Sequence, residues 1–335
     1  MERKMALTGI KPSGVPHVGN WLGAILPALE LAERPDTNAA YFIADYHALT
    51  SVRDASDLRA MTYDVTATWL AFGLDPSRTL VYRQSDIPEV FELSWLLACM
   101  TPKGFMNKAH AYKAARDQNI ADGQDEDAGV NMGLYTYPVL MAADILIVDA
   151  DLVPVGQDQV QHVEIARDIA QRLNHAFGEG TLHLPEAMIR KEVAVIPGVD
   201  GRKMSKSYGN VVPCFAPAKQ LRKSVMRIVT DSTGPGEPKD PAASNVFQIH
   251  RALLTPPEIE ALAERYRGGL SWGEAKQALA DALEERLAAP RARYDAWMAR
   301  PADMEDLLLA GATRAREVTG RVLDRVRAAV GARRR

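Results

Sequence analysis

Lys203-Met204-Ser205-Lys206-Ser207, running into Tyr208-Gly209-Asn210, sets two lysines three residues apart on a glycine-flanked loop. Two ammonium groups at that spacing can reach one polyphosphate, and the serine hydroxyls between them add donors without bulk. Five specified residues would fall together by chance in a chain of 335 residues on the order of one time in ten thousand. A second motif, Pro16-His17-Val18-Gly19-Asn20, lies near the N-terminus. It stands where a strand-turn meets a helix start, with Asn20 as N-cap, so free N–H groups and a positive dipole end are offered to a phosphate. His17 and Asn20 can donate to phosphate oxygens, and Gly19 admits a nucleotide base close to the backbone. Each motif alone has an ordinary explanation: a capped turn for one, a solvated lysine-rich loop for the other. Together they are two halves of one ATP clamp. No Gly-x4-Gly-Lys-Ser/Thr run occurs, which leaves this lysine pair as the obvious partner for ATP.

The segments around these motifs give the fold class. Met5-Ala6-Leu7-Thr8 is a short apolar strand leading into the turn Gly9-Ile10-Lys11-Pro12-Ser13-Gly14, and a helix follows over 20–32. Strands are expected at 40–44 and 79–82, and helices at 54–72 and 88–100. In the first of those helices, Leu58, Met61, Val65, Trp69 and Phe72 recur at spacings of three and four. This β-α-β-α-β order implies a doubly wound parallel sheet whose ligands bind beyond the carboxyl ends of the strands. Residues 101–134 read as an irregular, mobile insertion, basic at Lys103, Lys108, His110, Lys113 and Arg116 and acidic from 122 to 127. A second βα unit follows, with 137–147, a strand at 152–155 and a helix over 159–173. Residues 218–330 are nearly all helical in pattern, and the last helix carries Ala315, Val318, Val322, Val326 and Ala329 on one stripe. A smaller all-α C-terminal domain is the reading. Its end is arginine-rich from Arg314 to Arg335, which suits nucleic-acid phosphates, with Arg333, Arg334 and Arg335 as a solvated tail.

A net charge of −3 argues against generic coating of polyanions, so any nucleic-acid contact must come from a local basic patch. Cys99 and Cys214 are the only cysteines, which excludes a disulfide framework and a cysteine zinc site. No run of 18 apolar residues and no signal-like start is present, and a cytoplasmic protein is expected.

Three further sites carry chemistry. Asp144 stands among Tyr137-Pro138-Val139-Leu140-Met141-Ala142-Ala143 and Ile145-Leu146, on one helix face with Met141. A carboxylate there costs several kcal/mol unless it has a partner, internal or supplied by a ligand. In Val153-Pro154-Val155-Gly156-Gln157-Asp158-Gln159, Gly156 permits close approach. Asp158 either accepts a ribose hydroxyl or caps the following helix. Asp45-Tyr46-His47 closes the second strand, where His47 is either a satisfied surface imidazole or part of a site.

In order along the chain, these motifs resemble the bacterial tryptophanyl-tRNA synthetases, and the 203–207 string is similar to the KMSKS signature of class I aminoacyl-tRNA synthetases. Residues 8–14, 42–50, 137–146, 153–162 and 203–207 carry the resemblance, and Val229-Thr230-Asp231-Ser232 and the region around Trp297 extend it over essentially the whole chain. It implies a Rossmann-like catalytic domain (HUP-type) over 1–212 and an α-helical anticodon-binding domain over 213–335. By resemblance, Asp144 would accept the indole N–H of bound L-tryptophan, Met141, Val153 and Val155 would wall the ring, and His47 would border the pocket. Tyr137 and Gln159 would hold the ammonium end. ATP would lie against Lys11, Pro12, Ser13, Gly19, Asn20, Gly156, Gln157, Asp158, Val195, Lys203, Met204, Ser205, Lys206 and Ser207. Lys203, Lys206, His17 and Asn20 would act on the phosphates, with Mg2+ carried by the nucleotide and no dedicated protein metal site.

Three positions depart from the family pattern. Lys11 stands where many members have Gln, Leu7 where some have an aromatic residue, and 108–116 matches only loosely. The implied partners are tryptophan, ATP, tRNA(Trp) and a second copy of the chain, with no membrane. The competing readings are a tyrosyl-tRNA synthetase, disfavoured by Leu140-Met141-Ala142-Ala143-Asp144, and a silent paralogue, disfavoured by the intact lysines and Gly19-Asn20.

Overall fold

Short apolar runs make the strands β1 (Lys4–Ile10), β2 (Thr37–Ile43), β3 (Leu80–Arg83), β4 (Leu152–Val155) and β5 (Glu186–Ile189) in the computed structural model. It describes residues 3–12, 14, 16–156, 159–189 and 196–332, so Ser13, Gln157, Asp158, Val195 and Arg333, Arg334 and Arg335 lie outside the described residues. The strands pair in the order β3-β2-β1-β4-β5, every pair parallel. The order reverses between β1 and β4, and the crevice beyond their carboxyl ends is where a doubly wound sheet takes its ligand. Burial on both faces follows from the pleat. Ala39, Tyr41 and Ile43 of β2 join one apolar cluster with Trp21, Trp69 and Phe215, whereas Ala40 and Phe42 join another with Tyr82, Leu93 and Val153.

Between β1 and β2 the chain forms α1 (Val18–Asn20), a π-turn over Trp21–Ile25 and α2 (Leu26–Glu33). His17, not Asn20, is the N-cap: its ring accepts from the Asn20 N–H, and Asn20 returns a side-chain acceptor to the His17 N–H. Asn20 is therefore the third residue of a capping box. Then come α3 (Asp45–Ala48) and α4 (Ala55–Ala71), the latter capped by Asp54, whose carboxylate accepts from Ser56 N–H at 2.8 Å and Asp57 N–H at 3.0 Å. After β3 come α5 (Pro88–Cys99), α6 (Lys103–Met106), α7 (His110–Ala121) and α8 (Met132–Leu146). The expectation of an irregular insertion over 101–134 is corrected: most of it is helix. Tertiary bonds hold it, from Tyr112 Oη to Asp127 at 2.8 Å, from Tyr135 Oη to Asn107 at 2.8 Å and between Arg116 and Glu126 at 2.7 Å.

After β4 comes α9 (Val160–Phe177), whose Val163, Ala166, Ile169, Ala170 and Leu173 make one buried face. The rest is helical: α10 (Ala218–Met226), α11 (Asn245–Arg251), α12 (Pro256–Arg267), α13 (Trp272–Met298) and α14 (Pro301–Ala329). The buried stripe of α14 is Met304, Leu308, Gly311, Ala312, Ala315, Thr319, Val322, Leu323 and Val326; Val318 and Ala329 are only half-buried. This helix lies directly on β3, the edge strand, and a Cβ added at Gly311 would fall 1.6 Å from the Val81 carbonyl oxygen. Four arginines of the stretch are tied to the body. Arg314 donates to the Pro76 carbonyl at 2.7 Å, and Arg316, Arg325 and Arg327 pair with Glu89, Asp149 and Glu92. Cations that sequence alone offers to tRNA phosphates thus fasten the last helix to the sheet domain. Both apolar clusters draw on residues beyond 212, Phe215 and Leu279 in one and Ala315 and Val322 in the other.

Candidate active site

Residues 16–20 and 203–207 meet in space. The segment around His17 is stitched to 212–214 by Val18 N–H to Val212 O at 2.9 Å and Cys214 N–H to Pro16 O at 3.2 Å. Gly19 N–H points at Met204 Sδ, 3.3 Å away. A Cβ on Gly19 would stand 3.0 Å from His17 Nδ1 and 3.2 Å from Met204 Cβ, so glycine lets the two motifs meet without a shift of a few tenths of an ångström. Met204, offered above to ATP, is 4% exposed, and its side chain belongs to the apolar cluster that also holds Trp21. That buried side chain anchors the loop, whatever its backbone offers a ligand. Lys203 and Lys206 flank that anchor on the exposed side, and Lys206 Nζ donates to the Gly14 carbonyl at 2.7 Å.

Burial, aided by the nearby Lys206 ammonium, lowers the His17 imidazole to about 4. The ring is therefore neutral at physiological pH. Since Nδ1 accepts from Asn20, the proton sits on Nε2, leaving one donor for a ligand. A histidine titration followed by NMR should place this ring near pH 4 rather than 6.5, and a midpoint above 6 would contradict a neutral cap. The unfolded chain takes up the proton near 6.5 and the folded chain only near 4, so this group costs stability as pH falls across that window.

A cavity of about 430 Å³ opens at the carboxyl ends of β1, β2 and β4. Its lining brings together all seven residues offered to tryptophan: His47, Tyr137, Met141, Asp144, Val153, Val155 and Gln159. Lys11 also lines it, and Lys11 Nζ donates to Thr50 Oγ1 and Ser51 Oγ, both at 3.3 Å. Burial draws the Lys11 ammonium below its ordinary value. Pro12 and Gly156 are described but lie outside the lining, as do the residues of the two phosphate motifs.

Asp144 is 2% exposed at the base of the cavity, and it is no orphan. His47 Nε2 lies 2.9 Å from Oδ2, and Gln84 Nε2 is 2.9 Å from both carboxylate oxygens. Oδ2 thus meets two donors and Oδ1 one. Burial pushes the Asp144 carboxyl up, while bonds from His47 and Gln84 pull it back. Gln84 itself is fully buried, and its Oε1 accepts from Tyr46 N–H at 3.2 Å, which fixes the amide's orientation. Sequence reasoning missed Gln84. The available signal was its place as the first residue after β3, at the carboxyl edge of the sheet. His162, also missed, lines the cavity with Nε2 at 3.3 Å from Tyr137 Oη. Among the described residues, no group of three His, Cys, Asp or Glu is arranged to hold a metal ion.

A parallel sheet with its cavity at the switch point, and with the 16–20 and 203–207 motifs joined beside it, is the arrangement of the class I synthetase kind. The chain belongs to the tRNA synthetases class I (W and Y), whose family model matches residues 2–288. The tryptophan–tRNA ligase of Pseudomonas aeruginosa is 54% identical over 329 residues, covering 98% of this chain and 73% of that one. The solved tryptophanyl-tRNA synthetase of Campylobacter jejuni, complexed with ADP and tryptophan, superposes with a TM-score of 0.87 at 40% identity, covering 98% of this chain and 99% of that chain. The Mycoplasma pneumoniae tryptophanyl-tRNA synthetase does so with a TM-score of 0.80 at 30% identity, covering 98% of both chains.

Proposed function

We infer that this chain is a ligase that activates L-tryptophan with ATP and esterifies it to tRNA(Trp). The observation that carries the amino-acid identity is the apolar cavity closed at its base by the buried carboxylate of Asp144. In the first step a carboxylate oxygen of tryptophan attacks the α-phosphorus of ATP, the bond to the bridging oxygen breaks, and pyrophosphate leaves. In the second, a ribose hydroxyl of the terminal adenosine of tRNA attacks the acyl carbon, and AMP leaves. Neither step needs a protein nucleophile; positioning and charge neutralisation carry both.

Asp144 Oδ1 accepts the indole N–H, held to that task by Gln84 and His47. Met141, Val153 and Val155 wall the ring, and Tyr137 and Gln159 take the ammonium group. Lys203 and Lys206 meet the departing pyrophosphate, with the His17 Nε2–H and Asn20 on the opposite side. Lys11 reaches from the cavity toward the α-phosphate. Pro12, Ser13, Gly19, Gly156, Gln157, Asp158, Val195, Met204, Ser205 and Ser207 complete the ATP site in this reading. Mg2+ arrives with the nucleotide. The helical part from 213 onward takes the anticodon stem.

A homodimer is supported by Trp95 of α5, 71% exposed, one turn from Phe91, whose ring lies 4.9 Å from that of the exposed Tyr46. Cys99 and Cys214 are free thiols, and no helix among the described residues is long and apolar enough to cross a membrane, which suits a cytoplasmic enzyme. Purified protein should exchange ATP and pyrophosphate with tryptophan and not with tyrosine. Exchange with tyrosine alone would point to the sister specificity, and none with either would refute the ligase.

A further inference from the structure

The 203–207 loop is fastened at both ends, and the second fastener is a residue the reaction scheme leaves unused. Met204 plugs one end, its N–H bonded to the Ile196 carbonyl at 2.9 Å. At the other end stands Asn210, 1% exposed. Its Oδ1 accepts from Ser205 N–H at 2.8 Å, and its Nδ2 donates to the Lys203 carbonyl at 3.1 Å and to Asp200 Oδ1 at 2.7 Å. The amide therefore bonds the backbone on both sides of Met204 and ties it to the preceding turn. That turn is closed by Gly198 N–H to Arg202 O at 2.7 Å, and the Asn210 backbone carbonyl accepts from Val199 N–H at 2.9 Å.

The fit is close. A Cβ at Gly198 would fall 2.4 Å from the Asn210 amide, so glycine at that position makes the seat for this side chain. From the seat, Gly209 turns the chain in the left-handed region at φ 62°, and a single helical turn over Lys206–Tyr208 carries the second lysine out. With Ser205 and Lys203 both fixed by one buried side chain, the direction in which the Lys203 and Lys206 ammonium groups leave the backbone is set before any nucleotide arrives.

We propose that Asn210 is a positioning residue for the ATP half of the reaction: its buried amide sets the backbone of residues 203–205, and with it the placement of Lys203 and Lys206 on the triphosphate. The proposal rests on the ligase reading above. It concerns ATP alone, since Asn210 is absent from the lining of the Asp144 cavity.

The test separates ATP from tryptophan. Asn210→Asp keeps the side chain's shape and the bond from Ser205, but replaces both donated bonds with a carboxylate oxygen facing the Asp200 carboxylate and the Lys203 carbonyl. In tryptophan-dependent pyrophosphate exchange, KM for ATP should rise about tenfold, the size expected for losing buried bonds that preorganise a charged site. Tryptophan affinity, read by equilibrium dialysis without ATP, should stay at the wild-type value. Should N210D fail to fold, Asn210→Ser adds no charge and has a hydroxyl one bond too short to span Ser205, Lys203 and Asp200 together, with the same two readouts. An unchanged ATP KM, or tryptophan affinity lost in step with ATP affinity, would overturn the proposal. Direct ATP dialysis on the same proteins needs no turnover. A wild-type chain that does not exchange with tryptophan therefore sinks the ligase reading, and a variant that binds ATP like wild type sinks the role of Asn210.

Discussion

Truncating Asp144 to alanine is expected to lower kcat/KM for tryptophan in pyrophosphate exchange by about a hundredfold to a thousandfold, while KM for ATP changes little. The size comes from two losses at one place. The indole N–H enters an apolar cavity and loses its acceptor, at the cost of an unpaired buried donor. The Gln84 amide and the His47 imidazole, both bonded to this carboxylate at 2.9 Å, lose theirs as well. In the proposed reading, discrimination against phenylalanine, whose ring offers the buried carboxylate no donor, should narrow in the same variant, and tyrosine serves as the comparison with a donor. Steady-state exchange with each of the three amino acids measures this. An alanine variant with wild-type kinetics for tryptophan would refute Asp144 as the recognition residue.

How much of this site can be read in the sequence depends on how local the information is. Asp144 is legible because a lone carboxylate in an apolar run demands a partner, but which partner is a long-range fact. His47 and Gln84 lie 97 and 60 positions away from it. Gln84 belongs to no spacing pattern. It follows a strand of four residues and opens a single helical turn, and only the sheet order brings it to Asp144. Propensity favours Asn20 as the N-cap, whereas the box places a histidine at the cap and the asparagine three residues on. The histidine at the cap is 6% exposed, in a segment stitched to Val212 and Cys214, again contacts far away in sequence. The helices of 101–134 are polar and held by bonds such as Tyr112 to Asp127, so hydrophobic periodicity had little to report. Four of the five strands, in contrast, hold short apolar runs, and their parallel pairing follows from the alternation of segments; β5, Glu186-Ala187-Met188-Ile189 with both ends exposed, escapes that reading.

Gly311→Ala should be among the most damaging substitutions outside the site. The added methyl would lie 1.6 Å from the Val81 carbonyl oxygen, and both partners are backbone atoms of paired or helical segments, so neither can swing aside. Relief requires α14 to lift from β3, which strains the Arg83 to Glu305 ion pair at 2.8 Å. A loss of about 3 kcal/mol is expected, lowering Tm by roughly 4 °C. Gly320→Ala serves as the internal control: the same helix and the same methyl, with no atom within 4 Å of it. That change should be neutral or slightly stabilising, as alanine is the better helix former. Thermal unfolding of both variants decides it. Equal Tm values for the two would show that α14 does not press on the strand.

The seat of α14 on β3 also orders events during synthesis. Arg83 meets Glu305 across 222 positions, so the ribosome makes the outer strand long before it makes the helix that covers it. At roughly 5–20 residues per second, the sheet waits on the order of ten seconds or more with that edge bare. Unpaired edges recruit other strands, and a contact this remote slows the search for the native state. Newborn chains therefore pass through a stage that invites chaperone binding. Chains terminated before residue 301 never leave it, even though every residue proposed to contact tryptophan or ATP is already present in them.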